Sequence, residues 1–275
     1  MSLFGYGLNA AQSLLASTRR ALYRPSRFLA NDLDRRIVAG LNKEGAFCTS
    51  LAELDLSGSQ QMLEVARSAC GALRQVDDDY VKSYVSLIDL ETMIKNAEIF
   101  RWGLNERLLA IVEHYIQQSI FYRGVVGRRD YADGKVSGTR LFHVDGEDSR
   151  IVKIIVYLDD VDADGGGFEY ISKLDGPRPH SIELIDGRVP DAQMADLVPE
   201  GKWVNAAGVA GTVLFVDTCN IWHRGRVPVS SDRQTLFFCY NSKSPRMPDS
   251  CAPILPFSPM LQDVALTESQ VDAIA

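Results

Sequence analysis

Ile151-Val152-Lys153-Ile154-Ile155-Val156-Tyr157-Leu158 reads as a β-strand with two unlike faces. Side chains alternate across a strand, so Val152, Ile154, Val156 and Leu158 form one wholly apolar side, and Lys153, Ile155 and Tyr157 form the other. A lysine in the middle of such a strand needs a charged partner, because an unpaired buried ammonium is costly. The other solution is an edge position from which the long stem lets the ammonium reach water. Either solution satisfies the strand's chemistry.

Outward from this strand, short apolar runs recur between Gly, Asp and Pro clusters: Ile120 to Val126, Phe168 to Ile171, Ile182 to Ile185, Gly211 to Val216 and Thr235 to Tyr240. Strands at this spacing with turn signals between them predict a β-sandwich or barrel. Upstream the texture is helical. Asn9 to Tyr23 has helical apolar spacing and stops at Pro25. Asn31 or Asp32 caps a helix that closes at Gly45, Gly58 to Val76 is amphipathic, and Asn105 caps a helix striped by Leu108, Leu109, Val112 and Ile116. Tyr84 to Leu90 reads as a strand. The expected class is therefore α+β with a mainly β core. A helical annex (residues 1–118) packs on a β core (119–245), followed by a proline-rich tail (246–275) whose end, Thr267 to Ala275, forms a short helix.

Four histidines occur in the chain. His143 lies in Leu141-Phe142-His143-Val144-Asp145, read as the end of a strand, where residues i and i+2 point to one side and bring imidazole and carboxylate together. His223 follows the run Gly211 to Val216 and a polar loop. Ten residues later Arg233 and Thr235 share one face of the next strand, an arrangement suited to gripping a carboxylate. Two histidines and one carboxylate leave three positions of a metal open, the facial arrangement of non-haem Fe(II) oxygenases.

The order HxD, distal His, then Arg resembles the double-stranded β-helix (jelly-roll, cupin-like) oxygenases that use Fe(II) and 2-oxoglutarate. Val156-Tyr157-Leu158-Asp159-Asp160-Val161 followed by Gly166-Gly167-Phe168-Glu169-Tyr170-Ile171 resembles their phytanoyl-CoA hydroxylase-like branch. The likeness spans Phe121 to Lys243. It implies that His143, Asp145 and His223 are catalytic metal ligands for Fe(II). It implies that Arg233, helped by Thr235, binds the distal carboxylate of 2-oxoglutarate, and that Tyr157 is a second donor beside it. A bound dicarboxylate would also supply the partner that Lys153 needs. O2 is the oxidant implied, with ascorbate a further option as reductant. Hydroxylation of an unactivated C–H bond in a small-molecule or lipid-like substrate, releasing succinate and CO2, is the activity implied. Where that branch often has Pro-Gly-Ser-His, this chain reads Ser172-Lys173-Leu174-Asp175, which puts the substrate in question. Rivals are a cupin-type metal enzyme without a 2-oxo acid, which Arg233 opposes, and a non-catalytic binding protein on the same scaffold.

Other residues have blander readings. His114 sits on a helix as a surface or packing residue, and His180 is expected in a solvated loop. Arg123, Arg128, Arg129 and Arg140 are expected to form surface pairs, the alternative being an anionic substrate group; Arg224 and Arg226 have a better claim to face the site. The acidic run from Asp159 to Asp164 lacks the ligand spacing of a calcium loop and reads as a turn. The formal charge of −7 argues against nucleic acid. It splits into +4 for Met1 to Asn31 and −11 for the rest. Five scattered cysteines without a CxxC pair fit a reducing compartment. No apolar stretch is long enough to span a membrane. The expected location is cytoplasmic, with organellar import or membrane-surface association through the basic N-terminal helix as the alternative.

Overall fold

The computed structural model describes residue 18 and residues 20–75, 84–178 and 187–275. Most of the Asn9 to Tyr23 helix, the Ile182 to Ile185 strand and His180 lie outside them.

Among the described residues nine strands form two antiparallel sheets: β1 (Ala46–Ser50), β2 (Val85–Leu87), β3 (Ile120–Asp130), β4 (Val152–Tyr157), β5 (Phe168–Ile171), β6 (Trp203–Ala206), β7 (Thr212–Asp217), β8 (Trp222–Gly225) and β9 (Arg233–Ser242). The large sheet runs β1-β7-β4-β9-β3-β2 and the small one β6-β5-β8. Isolated bridges pair His143 with His223 and Phe142 with Val189, widening the small sheet.

The two faces of β4 sort as their chemistry demands. Val152, Ile154, Val156 and Leu158 are buried with Val213, Phe215, Leu236 and Phe238 against helices, including Ser59–Gly71 and Glu106–Ile116. Ile155 and Tyr157 turn into the space between the sheets, with Leu214, Val216 and Phe168. The helices cover the outer face of the large sheet, which leaves its inner face free to build a cavity.

The caps expected at Asn31 or Asp32 and at Asn105 form. Asn31 Oδ1 accepts from Asp34 N ahead of Asp32–Lys43, and Asn105 Oδ1 accepts from Arg107 N. Thr267 and Gln270 form a capping box on Glu268–Asp272. The segment before residue 118 is not only helical, since it lends β1 to the edge beside β7 and β2 to the edge beside β3. β2 lies within the expected strand Tyr84 to Leu90, whereas β1, at five residues, is too short to show a period in sequence. β3 runs past Val126 because Arg128, Arg129 and Asp130, which break the apolar run, find partners in the fold. Among the described residues no helix is long and apolar enough to cross a membrane. All five cysteines are free thiols.

Candidate metal and carboxylate site

His143 is not in a regular strand. It is held by a two-way bridge, His143 N donating to His223 O and His223 N to His143 O, each at 3.0 Å. Asp145 N donates to Thr218 O at 2.9 Å. The expected strand end is thus a short bridged segment, and β8 with its preceding turn fixes its side chains.

The ligand atoms of His143, Asp145 and His223 all lie within 4.8 Å of one another. Nδ1 of His143 lies 2.9 Å from Leu141 O, and Nδ1 of His223 lies 3.2 Å from Ile221 O. A carbonyl oxygen only accepts, so each Nδ1 carries the proton and each Nε2 keeps its lone pair for a metal. Burial lowers both imidazoles. His223 is pushed down to about 4, and His143 well below its ordinary value with the neighbouring ring adding to the effect. Neutral imidazole is the ligating form. Burial alone would raise Asp145, but Lys153 and the two imidazoles outweigh it and hold the carboxyl well below the usual range. A pair of neutral imidazoles beside an ionised carboxylate suits a divalent transition metal such as iron.

Lys153 is not at an edge, since β4 lies between β7 and β9. Its Nζ donates to Asp145 Oδ2 at 2.6 Å, so the charged partner that the sequence demanded is the metal-site carboxylate itself.

A cavity of about 170 Å³ opens beside the triad, lined by His143 and His223, by Lys153, Ile155 and Tyr157 of β4, and by Arg233, Thr235, Phe237 and Cys239 of β9. Arg233 and Thr235 are brought to one buried face, as the alternation of β9 requires. Arg233 Nε and Thr235 Oγ1 are buried without a hydrogen-bond partner among the described residues, as is Thr218 Oγ1, which also lines the cavity. Orphaned buried polar atoms are rare in folded proteins, and a carboxylate placed between Arg233 and Thr235 would satisfy both. Tyr157 faces the cavity, but its hydroxyl donates to Ala206 O at 2.6 Å and accepts from Phe168 N at 2.9 Å. Its proton is spent on the fold.

Three supports of this site were not legible in the sequence. Asp130, fully buried, sits opposite Arg233 across β3 and β9, accepts from Arg233 Nη2 at 2.9 Å, and is chelated by Arg128. The two guanidiniums hold its carboxyl down at about 2 against the pull of burial. Gly166, at φ +74°, offers its carbonyl to Arg233 Nη1. Gly225 leaves room for the guanidinium, since a Cβ there would lie 2.7 Å from Arg233 Nη2. The only sequence signal was a glycine inside a short strand, which marks close approach.

The other arginines separate clearly. Arg140 is buried, stacked on Tyr84 and paired with Asp133. Arg129 pairs with Asp232, and Arg123 binds the carbonyls of Ser250 and Ala252. Arg128 lines the cavity. Arg224, expected to face the site, instead lies over the rings of Phe142 and Trp203 and pairs with Glu169 and Asp191, and Arg226 also pairs with Glu169. These pairs tie helix Asp191–Leu197 to the small sheet. His114 Nε2 lies 2.9 Å from Arg27 O, a packing role. In the acidic turn Asp160 accepts from Ala210 N, and Asp162 from Asp164 N.

No family model matches the sequence, and no curated protein does. Solved structures do. EctD from S. alaskensis in its apoform is 19% identical with a TM-score of 0.55, covering 85% of this chain and 86% of that one. HygX from Streptomyces hygroscopicus, solved with nickel, 2-oxoglutarate and hygromycin B, is 18% identical with a TM-score of 0.54, over 76% of this chain and 87% of that one. SnoK, a non-heme alpha-ketoglutarate-dependent carbocyclase from nogalamycin biosynthesis, is 16% identical with a TM-score of 0.53, over 79% and 87%. At such identities the likeness shows the fold, the double-stranded β-helix.

Proposed function

We propose that this chain is an Fe(II)- and 2-oxoglutarate-dependent oxygenase that hydroxylates an unactivated C–H bond of a small-molecule substrate. The observation that carries the reading is the meeting, in one cavity, of the His143–Asp145–His223 ligand set with the orphaned Arg233 Nε and Thr235 Oγ1. The fold is shared with proteins solved with 2-oxoglutarate and with iron or nickel.

His143, Asp145 and His223 would hold Fe(II), which with 2-oxoglutarate and O2 supplies oxidation of a C–H bond with release of succinate and CO2. The protein's part is placement. Arg233 and Thr235 would grip the distal carboxylate of 2-oxoglutarate, with Asp130 and Gly166 fixing the guanidinium from behind. Lys153 holds the second oxygen of Asp145, so that one oxygen is left to face the metal. Ile155, Phe168 and Phe237 give the cavity apolar walls that keep water from the reacting carbon. The phytanoyl-CoA hydroxylase-like branch, and with it a lipid-like substrate, rests on the Val156 to Ile171 pattern alone. Solved structures of similar fold include a carbocyclase and an epimerase, so the product decides between hydroxylation and these outcomes: a gain of one oxygen atom identifies hydroxylation.

The test is anaerobic addition of Fe(II) and 2-oxoglutarate, which should give a weak visible charge-transfer band, followed by O2, which should yield succinate. Absence of both, with metal affinity unchanged in His223→Ala, overturns the reading.

A further inference from the structure

The cations that line the cavity are already neutralised: Arg128 and Arg233 share Asp130, and Lys153 is paired with Asp145. Away from the lining, Arg224 and Arg226 share Glu169. Arg188 differs, because it has no carboxylate partner among the described residues.

Its position is set by pairing. Phe142 bridges Val189 in antiparallel register, with Val189 N donating to Phe142 O at 2.8 Å, which places Arg188 opposite His143. Phe142 and Val189 are buried together with Met194, Val198 and Trp222, away from the metal. Alternation therefore turns Arg188 to the same side as His143, which lines the cavity. The charge of Arg188 is felt by both metal-site imidazoles, where it adds to the lowering caused by burial.

The guanidinium is also aimed. Arg188 Nε donates to Gly138 O at 3.1 Å, and Nη1 to Gly187 O at 3.2 Å. Gly138 is in the left-handed region at φ +57°, and a Cβ there would lie 2.4 Å from the Tyr84 hydroxyl. A side chain at this position would be strained and would press on Tyr84. Nη2 has no partner among the described residues. Thr139, the next residue after Gly138, lines the cavity. A partly buried, pre-oriented guanidinium with free N–H groups is a carboxylate or phosphate site. In a chain of net charge −7, anions are repelled at long range, so a local seat is what selects them.

We propose that Arg188 is a substrate-recognition residue that seats an anionic group, carboxylate or phosphate, of the molecule oxidised at the metal. The assignment rests on the oxygenase reading, in which Arg233 is committed to the cosubstrate, and Arg188 stands beside His143.

The experiment is calorimetric titration of the full chain loaded with Ni(II) and 2-oxoglutarate, using inorganic phosphate, acetate and, as an uncharged control, glycerol. Wild type should bind phosphate or acetate saturably in the millimolar range and ignore glycerol. The ratio of anion affinity to 2-oxoglutarate affinity should fall about tenfold or more in Arg188→Gln, as loss of a charge-assisted contact requires, and be partly restored in Arg188→Lys. Preference for phosphate over acetate, or the reverse, identifies the group. Failure of wild type to bind either anion, or equal ratios in wild type and Arg188→Gln, overturns the assignment while leaving the oxygenase reading intact. Failure to load 2-oxoglutarate on the Ni(II) protein overturns both.

Discussion

Lys153 Nζ lies 2.6 Å from Asp145 Oδ2, which joins the central strand of the large sheet to a carboxylate of the metal site. The pair is mostly buried, and breaking such a pair from one side leaves an uncompensated charge. Lys153→Met should therefore lower the stability of the metal-free protein by about 2 kcal/mol, less than a fully buried pair because both groups keep some solvent. A divalent cation then becomes the carboxylate's only counter-charge. The rise in melting temperature on adding Ni(II) should accordingly be larger in Lys153→Met than in wild type. A smaller rise would show that Lys153 helps rather than competes with the metal.

Asp130 is held at about 2 by Arg128 and Arg233. A carboxyl lowered on folding stabilises the folded state above its unfolded value near 3.9, and that stability is lost as pH falls through the folded value. Asp130→Asn should cost about 3 kcal/mol at neutral pH. Urea unfolding from pH 6 downwards should show the deficit narrowing between about pH 4 and pH 2. A deficit that stays constant across that window would mean the charge of Asp130 is not what holds the two arginines.

Gly225→Ala places a methyl group against Arg233 Nη2, at 2.7 Å before relaxation. Displacing the guanidinium by even part of an ångström should raise the apparent KM for 2-oxoglutarate by about 10- to 100-fold. Metal affinity, which depends on other side chains, should change far less. Succinate release against 2-oxoglutarate concentration is the measurement, and an unchanged KM would remove Arg233 from cosubstrate binding.

Arg224 was expected at the site and is instead a structural clamp between Glu169, Asp191 and two aromatic rings. Arg224→Met should destabilise by about 3 kcal/mol, and Arg224→Met combined with Glu169→Met should recover most of the loss, since no buried charge then stands alone. Denaturant midpoints decide this. No recovery in the double variant would mean that Arg224 acts through its packing on Phe142 and Trp203 rather than through its charge.

The sequence by itself determined the two-faced strand Val152 to Tyr157, the helix caps at Asn31 or Asp32 and at Asn105, and the residue types His143, Asp145, His223, Arg233 and Thr235 in their order. These were legible because alternation, capping and ligand chemistry act over a few residues, within reach of a local reading. Only the tertiary structure decided that Lys153 is central and pairs with Asp145. The same holds for Asp130 lying behind Arg233 from 103 residues away, for Arg224 turning outward, and for Arg188 standing beside His143. Which charge neutralises which is set by strand order and register, and these are properties of the assembled sheets. A guanidinium looks the same in sequence whether its carboxylate is already in the protein or must arrive with a ligand.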